Sequence, residues 1–181
     1  GCNCNQNKPL WDLQLDIINA IREVDANHLI VIEGNCWGNN YNGLPKINNW
    51  DNNLVMSFHK YWNYNDQASF SGMLNHRTSQ NVPLWLGESG ENSNTWFANA
   101  IGLAESNNIG WSWWPFKKID SRTGNLIVPK TEGYQQLLNY WEGNASKPSA
   151  NQALEWLLEQ ADMLKLENCS VNYDVNDAMF R

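Results

Sequence analysis

The sequence predicts an α/β fold with parallel strands, and two features carry that prediction. Stretches of helical periodicity alternate with short apolar runs, the order expected of strand–helix–strand crossovers. The apolar runs are continuous rather than alternating, as in strands covered on both faces.

Each element follows from its residues. Residues 9–24 (PLWDLQLDIINAIREV) set Leu10, Leu13, Ile17, Ile21 and Val24 near one helical stripe, with Pro9 suited to the first turn. Leu29–Glu33 (LIVIE) reads as the first strand, and an Asn- and Gly-rich loop follows it. Leu54–His59 (LVMSFH) is the second strand, and a helix is expected over 67–79. Val82–Leu86 (VPLWL) is the third strand, running into Gly87-Glu88, and 93–107 reads as a helix. Ile109–Trp114 (IGWSWW) is the fourth strand. A Lys- and Gly-containing loop then leads to helices over 131–142 and 150–165 and a short final segment. Four such strands fit either a small open sheet or half of an eight-stranded barrel, whose complete form needs about 250 residues.

Composition narrows the function. The chain has 181 residues and a formal net charge of −7, which disfavours nucleic acid and anionic membranes as partners. No run approaches the roughly 20 apolar residues of a membrane span, and no signal peptide is read at Gly1. Cys2, Cys4, Cys36 and Cys169 include a C-x-C pair but no C-x-x-C, and His28, His59 and His76 show no ligand spacing. No metal site and no cofactor are expected, and the spacing leaves any disulfide connectivity open. Tryptophan is the unusual feature, with 11 residues. Trp37, Trp62, Trp111, Trp113 and Trp114 fall at or beside strand ends, where flat indole faces suit the C–H faces of pyranose rings.

In parallel α/β folds function gathers at the C-terminal ends of strands. Those ends read Glu33-Gly34-Asn35-Cys36-Trp37, His59-Lys60-Tyr61-Trp62, Gly87-Glu88-Ser89-Gly90-Glu91 and Trp113-Trp114-Pro115-Phe116-Lys117. Glu88 stands out because it follows an apolar strand between Gly87 and Gly90, whose lack of side chains leaves room beside the backbone. Glu33 and Glu91 are weaker candidates. His59 and Tyr61, two apart in extended chain, face the same way, and a tyrosyl hydroxyl so placed can hold a carboxylate.

The segments IREVDANHLIVIEGNCWG, NLVMSFHKYW, VPLWLGESGE and IGWSWWPFKK resemble, in this order, strands five to eight of glycoside hydrolase family 5. The resemblance implies the C-terminal half of a (β/α)8 barrel, as one partial domain over residues 1–181. It implies a secreted retaining hydrolase of β-linked polysaccharide, first of all an endo-β-1,4-glucanase, with mannan and other β-glucans as alternatives. Position by position, Glu88 corresponds to the nucleophile, His59 and Tyr61 to the strand-six pair lining the cleaved sugar's subsite, and Trp114 to the tryptophan on which that sugar stacks. Lys117 follows Trp114 at the family's spacing, and Trp37 is placed along the cleft. The family's acid/base Asn-Glu-Pro motif does not occur in the sequence. Partners expected on this reading are the polysaccharide and either the N-terminal half or a second copy of the chain. The competing readings are a non-catalytic carbohydrate-binding half barrel and an unrelated small α/β domain.

Overall fold

Continuous apolar runs become the strands of a parallel sheet in the computed structural model, which describes residues 2–181. The chain divides into two compact units, the first ending at Trp113 and the second running from Trp114 to Arg181.

The first unit runs α1 (Lys8–Arg22), β1 (Ile30–Glu33), a 3-10 turn (Ile47–Asn49), β2 (Leu54–Lys60), α2 (Gln67–Gln80), β3 (Leu84–Ser89), α3 (Asn94–Ser106) and β4 (Gly110–Trp111). The four strands pair in sequence order, every neighbour parallel. Ile32, Leu54, Met56, Phe58, Leu84 and Leu86 form the sheet's share of a core that also includes Trp11, Ile18, Phe70 and Ile109. Side-chain caps start two of the helices: Asp66 accepts from Ser69 N at α2 and Ser93 from Trp96 N at α3.

Several elements depart from the sequence expectation. Along α1 the fully buried residues are Trp11 and Ile18, whereas Leu13, Ile17 and Val24 of the expected stripe are exposed. After β1 only the 3-10 turn forms. β3 runs on to Ser89, so Glu88 lies in the ladder rather than beyond it. β4 stops at Trp111, because Trp113 turns into an aromatic cluster with Phe97, Trp96 and Trp111, at ring-centroid distances of 4.9, 6.5 and 6.0 Å.

The second unit contains β5 (Lys117–Ile119), β6 (Leu126–Val128), α4 (Glu132–Trp141), α5 (Ala150–Met163), β7 (Ser170–Val171) and α6 (Tyr173–Phe180). Its sheet has the order β5-β6-β7, parallel then antiparallel. The stretch expected to be a loop before α4 thus holds two strands, and the short final segment holds a strand and a helix. Gly133 lets α4 lie close to α5, since a Cβ there would stand 2.2 Å from the Trp156 ring. Gln160 is buried between them and satisfies both of its ends, accepting from Thr131 N at 2.9 Å and donating to Pro129 O at 3.0 Å.

Candidate active site

The ends of β1, β2 and β3 bring five polar side chains into one chain of contacts. Ser57 Oγ donates to Glu33 Oε1 at 2.6 Å, and His59 Nε2 lies 3.1 Å from the same oxygen. The other ring nitrogen, Nδ1, lies 3.5 Å from Glu88 Oε2. Tyr61 donates its hydroxyl to that Oε2 at 3.1 Å. Glu88 keeps 41% of its side-chain surface in solvent while His59 keeps 11%, so a carboxylate rests on a nearly buried imidazole.

Local backbone geometry produces this meeting. The β2–β3 register slips between Phe58 and His59: Phe58 faces Leu86, and His59 faces Glu88. The slip carries Gly87 past the pairing and re-aims Glu88, as bulges do. Gly87 has no room for a side chain, since a Cβ would stand 2.2 Å from Ser57 Oγ and 3.3 Å from Glu33 Oε1. Tyr41, buried beneath, donates to Ile32 O at 3.2 Å and to Ser57 O, tying β1 to β2 under the site.

His59 is also held from the loop after β1. Its backbone N–H donates to Asn39 Oδ1 at 3.0 Å. Gly38, at φ +79°, lies against its ring, where a Cβ would come within 3.2 Å of it. That loop folds back on itself through Asn35 and Asn40, whose backbones exchange bonds of 3.0 and 2.8 Å. A Cys2–Cys36 disulfide fastens its tip, while Cys4 and Cys169 stay free.

The electrostatics favour a neutral phenol beside the carboxylate. Burial, then the charge of Glu88 and the hydrogen bond to it, then Glu91, push Tyr61 well above the ordinary tyrosine value, so it stays a donor. On the far side of β2, Lys60 is buried, and its ammonium donates to Asn63 Oδ1, to Tyr64 O at 2.8 Å and to Ser69 Oγ at 3.2 Å. Burial lowers its pKa to about 8 against the opposing pull of Asp66. Among the described residues no group of three or more His, Cys, Asp or Glu is placed to hold a metal ion, and no helix is long and apolar enough to cross a membrane.

Of the residues singled out from sequence, Glu88, His59 and Tyr61 meet directly. Trp37 stands in the loop after β1, 78% exposed and beside the Gly38 that touches His59. Trp114 and Lys117 belong to the second unit, where Trp114 is half exposed and the Lys117 ammonium donates to Leu164 O. Sequence reasoning missed Ser57 and Asn39. Ser57 had a usable signal: it precedes His59 and Tyr61 at the same two-residue spacing and so shares their face. Asn39 had none, because a loop asparagine among many does not advertise its partner.

A parallel α/β sheet with carboxylate, imidazole and phenol gathered at its strand ends is the layout of an enzyme domain. The family described as cellulase (glycosyl hydrolase family 5) matches residues 3–119, and the chain belongs to that family. Among solved structures it is similar to the cellulose synthase subunit Z of Clostridioides difficile, with a TM-score of 0.60 and 17% identity over 97% of this chain and 57% of that one. It is also similar to an endo-β-1,4-glucanase of Xanthomonas axonopodis pv. citri (TM-score 0.52, 16% identity, 87% of this chain and 55% of that). A third is the β-mannanase of Streptomyces thermolilacinus with mannohexaose (TM-score 0.50, 18% identity, 76% and 52%). The chain spans 43% and 40% of two further mannanases, from Streptomyces sp. SirexAA-E and Thermomonospora fusca. No curated protein matches it.

Proposed function

We propose that this chain is the C-terminal half, strands five to eight, of the barrel of a secreted retaining β-glycanase, with Glu88 as nucleophile. One observation carries the reading: Tyr61 and His59 both address Glu88 Oε2, which leaves Oε1 as the attacking oxygen. In the first step Oε1 bonds to the anomeric carbon as the glycosidic C–O bond breaks. A second carboxyl, about 5–5.5 Å away in retaining enzymes, protonates the departing oxygen and then draws a proton from water. We assign that acid to the other half of the barrel, since the sequence has no Asn-Glu-Pro. Such assistance is worth roughly 10²–10⁴-fold in rate, so this chain alone should turn over natural glycans poorly.

On this reading His59 and Tyr61 line the subsite of the cleaved sugar and Trp37 extends the cleft, while Trp114 and Lys117 are assigned to the substrate by the family resemblance alone. The substrate is β-1,4-glucan, with β-1,4-mannan the next choice. Mannanases as well as a glucanase stand among the similar folds, and strands one to four would supply much of the discrimination. The alternative, a carbohydrate-binding protein without catalysis, draws on the exposed indoles of Trp37 and Trp62.

A mechanism-based glycoside separates the two. A dinitrophenyl 2-deoxy-2-fluoro-cellobioside, and its mannobioside counterpart, carry a leaving group that needs no acid. We expect a stable covalent adduct by intact mass, absent from Glu88→Ala, with the preferred sugar labelling faster. Binding of cellohexaose with no adduct from either reagent would reject the nucleophile and leave the binding protein.

A further inference from the structure

Glu33 is the carboxylate in the cluster that the proposed chemistry does not use, and its placement is specific. It ends β1, opposite Ser57 in the ladder. Its Oε1 takes the Ser57 hydroxyl at 2.6 Å and faces His59 Nε2 at 3.1 Å. Ser57 is buried, and its Oγ fills the space that a Cβ on Gly87 would claim. The imidazole is confined as well, by Gly38 against its ring and Asn39 on its backbone N–H. An ionised carboxylate only accepts hydrogen bonds, so Nε2 meets it favourably only when it carries a proton.

We infer that Glu33 is a positioning residue that keeps the proton of neutral His59 on Nε2, away from the nucleophile; this rests on the reading of Glu88 given above. The consequence lies 3.5 Å away at Glu88 Oε2, which then faces a bare Nδ1. Tyr61 is left as the donor to that oxygen within the cluster. With Glu33 removed, the proton is free to move to Nδ1. There it would bond to Glu88, compete with Tyr61 for Oε2, and draw charge from the attacking carboxylate. A histidine's tautomer is set by what its far nitrogen meets, and for metal-bound histidines the loss of such a partner costs about 10–100-fold.

The experiment reads the proton directly. Long-range ¹H–¹⁵N correlation on ¹⁵N-histidine protein at pH 8 resolves the tautomer of each of the three histidines, with His28→Gln and His76→Gln to assign them. Wild type should show His59 protonated at Nε2. Glu33→Met, close in volume but without an acceptor, should shift His59 toward Nδ1–H. It should also slow labelling by the fluoroglycoside about 10-fold or more, with the Kd for cellobiose unchanged. Glu33→Gln, whose amide oxygen still accepts, should restore the tautomer and most of the rate. Wild type showing Nδ1–H overturns the inference whatever the variants do, as does Glu33→Met with tautomer and labelling unaltered. Equal losses in Glu33→Met and Glu33→Gln with a lowered Tm would mark Glu33 as merely structural. If wild type forms no adduct, the nucleophile assignment fails on its own, and the His59 spectra still decide the part played by Glu33.

Discussion

Gly87 shows how a glycine beside a reactive group can serve packing rather than ligand access. From sequence its lack of a side chain suggests space for a ligand, whereas the structure fills that space with Ser57 Oγ, 2.2 Å from any added Cβ. Gly87→Ala should therefore cost about 1–3 kcal/mol by overpacking, and Ser57→Ala should relieve part of that cost. A double-mutant cycle in urea measures the coupling; strictly additive losses would show that the two positions do not compete for room. Lys60 supplies a pH dependence. Its folded pKa, lowered to about 8 by burial, sits below the ordinary lysine value of 10.5. Between those values the unfolded chain binds more protons, so stability should rise with pH from about 8 to 10.5. Below about 8 the charged, buried amine imposes its full cost. Urea midpoints at pH 7, 8, 9 and 10 should rise for wild type relative to Lys60→Met, and parallel profiles would refute the assignment. The same residues show what a sequence conceals. His59 and Tyr61 are conspicuous because strand periodicity sets them, with Ser57, on one face, whereas what Ser57 and Asn39 do shows only through partners 24 and 20 residues away.

Long elements were legible and short ones were not, for a physical reason. α1, α2, α3, α4 and α5 each supply enough turns for periodicity or composition to show, and Asp66, Ser93, Thr131 and Ser149 mark four of their starts by side-chain capping. The three-residue strands β5 and β6 and the two-residue β7 carry too few side chains for any period to register. They exist because a neighbouring backbone completes their hydrogen bonds, which is information held elsewhere in the chain. β4 fails in the opposite sense: IGWSWW looks like six residues of strand, but the cluster around Phe97 claims Trp113 and the ladder stops at Trp111. The slip in register before His59 belongs to the same class, since the strand pattern runs through it unbroken and only the pairing reveals it. The Cys2–Cys36 bridge was likewise one of several pairings that four cysteines allow.

An exposed apolar surface of the first unit bears on how the molecule behaves in solution. β1 is an outer strand of its sheet, and an outer strand presents unpaired backbone groups. Beside it runs a groove of about 460 Å³ lined by Gln14, Ile17, Ile18, Ile30, Val31, Ile32 and Glu33. Ile17 is 48% exposed and Val31 50%, and Leu13 and Leu29 lie open as well. Sheets closed into barrels have no such edge, which is the physical basis for expecting another polypeptide against this side. In a solution of the chain alone, the available occupant is a second copy. Each copy carries a net charge of −7, so charge opposes the association that apolar burial favours, and added salt screens the repulsion. The expected result is a concentration-dependent dimer or larger species by light scattering that strengthens from low salt to about 0.5 M, where the screening length is only a few ångströms. Val31→Lys and Ile17→Lys, which place charge on the edge and in the groove, should shift the chain toward monomer. A monomer at every concentration and salt, melting cooperatively, would mean that this edge is stable in water by itself and that the chain needs no partner there.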